Sequence, residues 1–477
     1  MVAVLPIIGV LNLFLAVAMF LPALTSLLFG EEIKPFILAI LITSLCGLLL
    51  YLPFRGRIRE ITQKEAFLIV SLGWMNASFF GALPFFLSPH FPSAVDTLFE
   101  TVSGFTTTGA SILQSVEELP KGILLWRSMI QWLGGMGIIL FSIAILPFLG
   151  VGGMQLYKAE VPGPFVDKLR PRIAETAKIL WQTYLLISAA EVLLLTLGGM
   201  DLFDSLCHTF TTMATGGFST KNRSIGHFGT YHRLVITLFM FMAGSNFALH
   251  YQLLRGKLEG YWKNREFRFY TAVVTFTVIT ITLDLLLHQG GGWAKRLEEA
   301  LFQGVSILTT TGYSTADFAS WPNYSQALLL LLMFIGGCAG STGGGIKCVR
   351  VLLLVRYIKA EMQKIVHPKA VVAVKLGGHI VSSAVLHGIV GMVLLYIGLF
   401  VVCTLIMGAL GIDLVTGASA VAASLGNIGP GLGRVGPALN YSFLPPLAKL
   451  ILTFCMLVGR LEIYTVLILL FPGFWKK

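Results

Sequence analysis

The chain has 477 residues, of which 56% are hydrophobic and only 12% charged. Soluble domains carry about 25% charged residues, so a water-soluble globular protein is excluded, and many apolar runs reach the roughly 20 residues that cross a bilayer as helix. The net charge of +11 does not mark a nucleic-acid binder, because 23 of the 34 Lys and Arg fall in short linkers around Arg55–Lys64, Lys158–Lys178, Arg255–Arg268 and Lys347–Lys375 and at the C-terminus, the pattern of cytoplasmic loops.

Residues 2–29 and 35–53 predict two membrane helices joined by a Gly-Glu-Glu turn. The first lacks a basic leader and is too long for a signal sequence, so it is expected to be retained. This pair, residues 1–60, is expected to pack against the rest of the chain. Four units of similar grammar follow, at 61–157, 158–262, 263–365 and 366–477. Each has a spanning helix, a stretch too short to span, a hydroxyl- and glycine-bearing loop, and a returning helix. In the first unit these are 65–87, Ser93 to Phe105, Thr106–Ser111 and about 122–149. In the second they are 176–199, Leu202 to Met213, Ala214–Ser219 and 230–254. The third runs 269–288, 294–308, Thr309–Ser314 and 324–358; the fourth, 378–408, 413–425, Gly426–Gly431 and 442–472. With the basic linkers inside, both termini are expected in the cytoplasm and all four loops enter from outside.

Aligning the loops on Gly109, Gly216, Gly312 and Gly429 makes them an internal repeat. A dehydrated cation needs oxygen ligands, and a ring of backbone carbonyls supplies them without net charge. Glycine permits the backbone conformations this requires, and threonine hydroxyls add oxygens or brace the loop. Each short helix also turns its partially negative C-terminus toward its loop. The expected ion-binding positions are Thr107, Thr108 and Gly109; Ala214, Thr215 and Gly216; Thr310, Thr311 and Gly312; and Asn427, Ile428 and Gly429. One such loop is an ordinary turn; four in register predict a cation selectivity filter.

Ser103-Gly-Phe-Thr-Thr-Thr-Gly-Ala-Ser111, Ala214-Thr-Gly-Gly-Phe-Ser219, Thr310-Thr-Gly-Tyr-Ser314 and Gly426-Asn-Ile-Gly-Pro-Gly431 resemble the Trk/Ktr/HKT superfamily of potassium transporters, over essentially the whole chain. The resemblance implies an all-α integral membrane protein in which four M1–P-loop–M2 repeats surround a single pseudo-four-fold pore. Glycine in all four loops goes with potassium preference in that superfamily, whereas serine in the first goes with sodium in some plant relatives. The fourth loop departs most, with Asn427 and Ile428 in place of a Thr pair. The resemblance further implies a homodimer in the cytoplasmic membrane that binds a nucleotide-binding regulatory ring of the TrkA type, with potassium ions as substrate and no cofactor.

Residues 336–345 hold six glycines in ten positions: Gly336, Gly337, Gly340, Gly343, Gly344 and Gly345, with Ser341 and Thr342 among them. An interior glycine costs a helix about 1 kcal/mol relative to alanine, so the third returning span is expected to unwind beneath the filter. A mobile gate is the preferred reading, close helix packing the other. The resemblance implies a loop here that closes the pore. Arg460 lies within the last apolar run, where a charge is costly and faces a polar cavity. It is expected to face the pore as a barrier or gate partner; a structural ion pair with Glu191 or Asp284 is the alternative.

Gly340–Lys347 lacks the Gly-Lys-Ser/Thr ending of a phosphate loop, and Gly431–Gly436 follows a short helix rather than the strand a dinucleotide site needs. His208, His250, His367 and His379 lack metal spacing, the six cysteines are unpaired in spacing, and no catalytic constellation is present. The function expected is potassium uptake rather than catalysis. The rival is an alternating-access symporter for potassium or sodium, which predicts inverted repeats.

Overall fold

The computed structural model describes residues 4–57, 61–91, 93–137, 173–377 and 379–476, and nearly all of their regular secondary structure is helix. Among these residues the strands are Lys375–Leu376 and His379–Ile380, paired as a hairpin. Six helical stretches are long and apolar enough to cross a membrane: Val4–Leu28, Lys34–Tyr51, Lys64–Phe86, Ala177–Leu197, Arg265–Gln289 and Ser383–Ala409. Their outer faces leave large apolar side chains such as Leu41, Phe79, Leu193, Phe276 and Leu405 exposed. Water would penalise such a surface, whereas lipid accepts it.

The two N-terminal helices cross where glycine allows contact. A Cβ on Gly9 would lie 2.8 Å from the Gly47 carbonyl oxygen, and one on Gly47 would lie 3.0 Å from that of Gly9. The pair is fastened to the next unit. Asn76 Nδ2 donates to Asn12 Oδ1 at 2.5 Å. The Glu31 carboxylate accepts the backbone N–H groups of Lys121 and Gly122 at 2.6 and 3.0 Å. A carboxylate there satisfies orphan donors of the helix Lys121–Gly135 and complements the positive end of its dipole.

The short helices are Ala94–Phe105, Leu202–Met213, Trp293–Leu308 and Leu414–Leu425. Three have 12 residues and one has 16. At about 1.5 Å per residue none crosses a hydrocarbon core of about 30 Å. Three begin on side-chain caps, with Ser93, Asp201 and Asp413 accepting the N–H of Asp96, Phe203 and Thr416. All four begin and end within a residue or two of where the sequence places them.

The second and fourth returning helices differ from expectation, because they break rather than run through, while the third unwinds as expected. Thr230–Ala243 and Phe247–Leu254 meet at 104°, and Pro446–Arg460 and Tyr464–Leu470 at 110°. In the third unit Asn323–Leu332 and Cys348–Val366 are separated by an unwound segment longer than the glycine run alone. The first returning helix stops at Gly135, and its expected continuation to residue 149 lies outside the described residues, as do Lys158, Lys168, Arg170 and Arg172 of the following basic linker. Local features accompany the breaks in the second and fourth units. Asn246 caps the second segment by accepting the Ala248 N–H at 2.8 Å. At the fourth break Glu462 and Ile463 both take positive φ, 57° and 54°, which ends right-handed helix.

Replacing Glu31 by Ala is expected to destabilise the protein in detergent by about 1–2 kcal/mol, because two helix N–H groups lose their acceptor. Replacing the exposed Glu32 by Ala should stay within about 0.5 kcal/mol of the parent. Thermal melts of the two purified variants check the difference.

Candidate functional site

The four loops begin as the same helix ending. In the first unit, the Thr107 N–H donates to Gly104 O and the Thr108 N–H to Ser103 O, at 2.9 and 2.8 Å. The pairs Thr215 to Thr212 and Gly216 to Thr211, Thr310 to Ile307 and Thr311 to Ser306, and Asn427 to Ser424 and Ile428 to Ala423 repeat it at 2.8–3.3 Å. This is the Schellman ending, which needs a left-handed residue just past the helix. Thr107, Thr215, Thr310 and Asn427 supply it with φ of 55°, 53°, 62° and 54°. A β-branched residue there is strained by roughly 1–3 kcal/mol. Asn427 is the residue that tolerates this conformation best, so the fourth loop, the most divergent in sequence, keeps the common backbone.

Two residues on, Gly109, Gly217, Gly312 and Gly429 are left-handed again, with φ of 80°, 76°, 78° and 104°. The equivalent of Gly109 in the second unit is therefore Gly217, and the alignment on Gly216 is one residue out of register. Ala214 is the helix cap, matching Thr106, Thr309 and Gly426, and Gly216 occupies the position of Thr108, Thr311 and Ile428. The glycine pair at Gly216 and Gly217 hid this. Counting back from the Gly-X-Ser ending at Ser111, Ser219 and Ser314 would have revealed it.

The left-handed glycines close a ring. A Cβ on Gly109 would sit 2.2 Å from Gly216 O, one on Gly217 2.0 Å from Thr311 O, one on Gly312 1.7 Å from Ile428 O, and one on Gly429 2.7 Å from Thr108 O. Each unit thus abuts the next, and the fourth abuts the first. Alternating left- and right-handed residues turn successive carbonyls toward one side of a strand, which is how a short segment presents several oxygens to an ion. Above the ring lies a recess of about 210 Å³ lined by Ser111, Ser219, Ser314, Lys221 and Tyr441 along with three of the ring glycines.

Polar side chains from the short helices brace the strands that leave the ring, and sequence reasoning missed them. Glu100 accepts the Ser111 hydroxyl and the Ile112 N–H, both at 2.9 Å, and pairs with Arg127 at 2.7 Å. Arg127 reaches on to Ser219 O at 3.1 Å and lies over the Phe218 ring. His208 Nε2 bonds Ser219 Oγ at 2.9 Å, and Gln303 Nε2 donates to Thr315 Oγ1 at 3.4 Å. These three residues sit five before the last residue of their helices. That shared register was the available signal. In the fourth unit the braces are Ser419, which exchanges hydrogen bonds with Leu432, and Tyr441, whose hydroxyl donates to Gly429 O at 2.6 Å.

Beneath the ring lies the unwound segment. Its ends are tied by Gly336 N–H to Ile346 O at 2.9 Å and by a bridge between Ile335 and Ile346. Its middle fits against three loops. Thr342 Oγ1 donates to Met213 O at 2.9 Å, and the Gly344 N–H donates to Thr310 Oγ1 at 2.7 Å. A Cβ on Gly344 would come within 2.6 Å of Gly426 O, and one on Gly343 within 3.0 Å of Thr309 O. Gly337 lies against Gly244 O, Gly340 beside Asn246, and Gly345 folds back on Gly336. Ser341 Oγ donates to Cys338 O at 2.6 Å. Glu266 accepts the N–H groups of Ala339 and Val349, at 2.7 and 3.0 Å.

Arg460 stands at a helix end, not within a continuous span. Its guanidinium donates to Thr342 O at 2.7 Å and to Gly134 O and Gly135 O at 2.7 and 2.9 Å. It therefore joins the unwound segment to the orphan carbonyls of the first returning helix, where a cation is favoured by the helix dipole. Of the carboxylates considered as partners, Asp284 is engaged by Ser325 Oγ and by His288 Nδ1. Glu462, beyond the break, pairs with Arg350 instead.

The model of the TrkH family, described as cation transport protein, matches residues 32–476. The Trk system potassium uptake protein TrkH of Escherichia coli (strain K12) is 43% identical over 482 residues, covering 100% of this chain and 99% of that protein. TrkH of Halomonas elongata is 41% identical, covering 99% of each. The crystal structure of the potassium transporter TrkH from Vibrio parahaemolyticus superposes with a TM-score of 0.90 at 40% identity, covering 100% of this chain and 99% of that one.

The ring register predicts an order of sensitivity. Gly217→Ala places a Cβ against a backbone carbonyl at positive φ, and should cost at least about 1–3 kcal/mol. The nearest contacts of Gly216→Ala are with the Gln131 amide, a side chain that can shift at the cost of its hydrogen bonds where a backbone cannot, so this change should cost less. Thermal melts of both variants test this, and equal or reversed sensitivity would refute the register.

Proposed function

The chain belongs to the TrkH family of cation transport proteins, and on that premise we propose that it takes up potassium across the cytoplasmic membrane through a filter formed by its four loops. The observation that carries this reading is the closed succession of Gly109, Gly217, Gly312 and Gly429, each against a carbonyl of the neighbouring unit. A cation entering from the outer recess exchanges water for the carbonyls of Thr107 and Thr108, Thr215 and Gly216, Thr310 and Thr311, and Asn427 and Ile428. The membrane potential contributes about 2.3 kcal/mol per charge per 100 mV, so inward movement needs no nucleotide hydrolysis by this chain.

The unwound segment around Gly336–Gly345 is the gate in this reading, and Arg460 is its strut. Thr342, held on one side by Met213 O and on the other by Arg460, plugs the path below the filter. Opening then means drawing the segment away from Thr310 and Asn427. The segment runs directly into the helix Cys348–Val366, which supplies the lever in the cytoplasm. That helix and the neighbouring linkers expose Lys359, Lys364, Lys369, Arg255, Lys257 and Arg268. These are the surfaces on which a nucleotide-binding regulatory subunit of the TrkA type would dock on a homodimer with both termini in the cytoplasm.

Flux into liposomes containing the purified protein tests the reading, with potassium, rubidium, sodium and lithium compared. Potassium and rubidium should permeate well ahead of sodium and lithium; equal rates for all four would overturn the filter assignment. Hydrogen bonds to charged groups contribute roughly 1.5–3 kcal/mol each. Arg460→Ala should therefore shift the closed–open balance toward open and raise potassium flux by about tenfold or more. Unchanged flux from a folded variant would leave Arg460 a purely structural tie. Shortening the segment by removing Gly343 and Gly344 should likewise raise flux.

A further inference from the structure

At one place the second loop alone lacks a side chain: Gly216 stands where the others have Thr108, Thr311 and Ile428. Those three side chains are fully buried behind the ring and brace it. Thr108 Oγ1 contacts Thr106 Oγ1 at 2.8 Å and accepts from Asn427 Nδ2 at 3.0 Å. Thr311 Oγ1 contacts Thr309 Oγ1 at 2.7 Å. Ile428 sits in the apolar core between the third and fourth units.

The space behind Gly216 is not empty. A Cβ built there would lie 2.4 Å from Cδ, 2.5 Å from Oε1 and 2.9 Å from Nε2 of Gln131. Gln131 belongs to the returning helix of the first unit, Lys121–Gly135, and is fully buried. Its amide is satisfied at both ends by the second loop. Nε2 donates to Gly216 O at 2.7 Å, and Oε1 accepts the Phe218 N–H at 3.1 Å. The two bonds straddle Gly217, the left-handed glycine of that loop. Gln131 lies four residues before Gly135, which packs on the cap residue of the next loop as Gly244 does in the second unit; around the corresponding place the other returning helices carry the apolar Phe239 and Met240, Leu328 and Leu329, and Met456. The polar residue occurs once, in the helix that faces the loop lacking a side chain.

We propose that Gln131 is a positioning residue for ion selectivity: its amide takes the place of the missing side chain at Gly216 and holds the second filter strand at the spacing of the other three. This rests on the reading of the four loops as the filter. Gln131 touches no ion. It acts through the Gly216 carbonyl, one of the ring oxygens, and through the Phe218 N–H just beyond the ring. A carbonyl whose position is set by a directional bond keeps its distance from the ion, and discrimination between potassium and sodium depends on that distance and on the number of oxygens held there. A strand without the amide gains freedom to close on the smaller ion.

The test measures potassium and sodium fluxes in liposomes for the wild type and for Gln131→Ala, Gln131→Met, Gly216→Ala, Gly216→Thr and the double variant Gln131→Ala/Gly216→Thr, with thermal melts to establish folding. Gln131→Met keeps the length of the side chain and loses both hydrogen bonds. It should lower the potassium-to-sodium flux ratio about tenfold while potassium flux itself persists. Gly216→Ala displaces the same amide from the other side and should lower the ratio similarly. The inference therefore stands or falls on this variant even where no Gln131 variant folds. Gly216→Thr alone clashes with Gln131, whereas the double variant supplies a bracing side chain and should lie closer to the wild-type ratio than either single change. A folded Gln131→Met or Gly216→Ala with the wild-type ratio overturns the proposal, as does a double variant whose loss is the product of the single losses. A wild type that does not discriminate between the ions would instead overturn the filter reading itself.

Discussion

The structure depends on one close approach, glycine against carbonyl, made four times around a ring. Each left-handed glycine leaves room for the backbone of the next unit, and any Cβ there would fall within 1.7–2.7 Å of a carbonyl oxygen. The contact demands absence of a side chain and tolerance of positive φ at the same residue, and glycine alone meets both. The strain is carried by its neighbours. Thr107, Thr215 and Thr310 accept a conformation unfavourable for β-branched residues. They are held there by helix-ending hydrogen bonds below and by the polar braces Glu100, His208 and Gln303 behind the exit strands. A strained segment persists when its surroundings over-determine it, and here the surroundings are mostly a neighbouring helix or unit.

A second constraint follows from the first. Short helices that end at the ring leave unpaired C-terminal carbonyls inside the protein, and the broken returning helices leave more. In a membrane interior such groups must find donors within the protein. The unwound segment and Arg460 provide them: Thr342 serves Met213 and Ala243, and Arg460 serves Gly134 and Gly135. The glycine run is therefore both flexible in composition and fully engaged where it lies. Close packing and the proposed gating, which compete as explanations when only the sequence is considered, would rest on the same contacts. The segment packs tightly because its partners are helix ends, and it is held by a few exchangeable hydrogen bonds rather than by a buried apolar face.

The short helices were legible because three of their starts carry capping residues and all four lengths fall short of a span. The loops were legible because four glycine- and hydroxyl-bearing segments repeat. The register of the second loop was not, since two adjacent glycines offer two alignments and only backbone handedness chooses between them. The breaks in the second and fourth returning helices escaped for a different reason. Gly244-Ser245-Asn246 and Gly459-Arg460 are weak local breakers, and what ends the helices is the supply of distant partners such as Gly340 O for the Phe247 N–H. Arg460 was visible as a costly charge. Its partners were not, because carbonyls carry no signature in a sequence.

The same asymmetry runs through the whole site. Four equivalent backbones are supported by four different sets of side chains: a buried ion pair in the first unit, a histidine and a borrowed glutamine in the second, threonine hydroxyls in the third, an asparagine and a tyrosine in the fourth. A homotetramer would repeat one solution four times. A single chain is free to vary each quarter, provided the variation stays behind the ring. Asn427 shows the principle at its strictest. It alone departs from threonine at the left-handed position, and its amide donates both to Thr108 Oγ1 of the first unit and to Met456 O of its own returning helix. The residue that looks most divergent in the sequence is the one that ties the last quarter of the ring to the first.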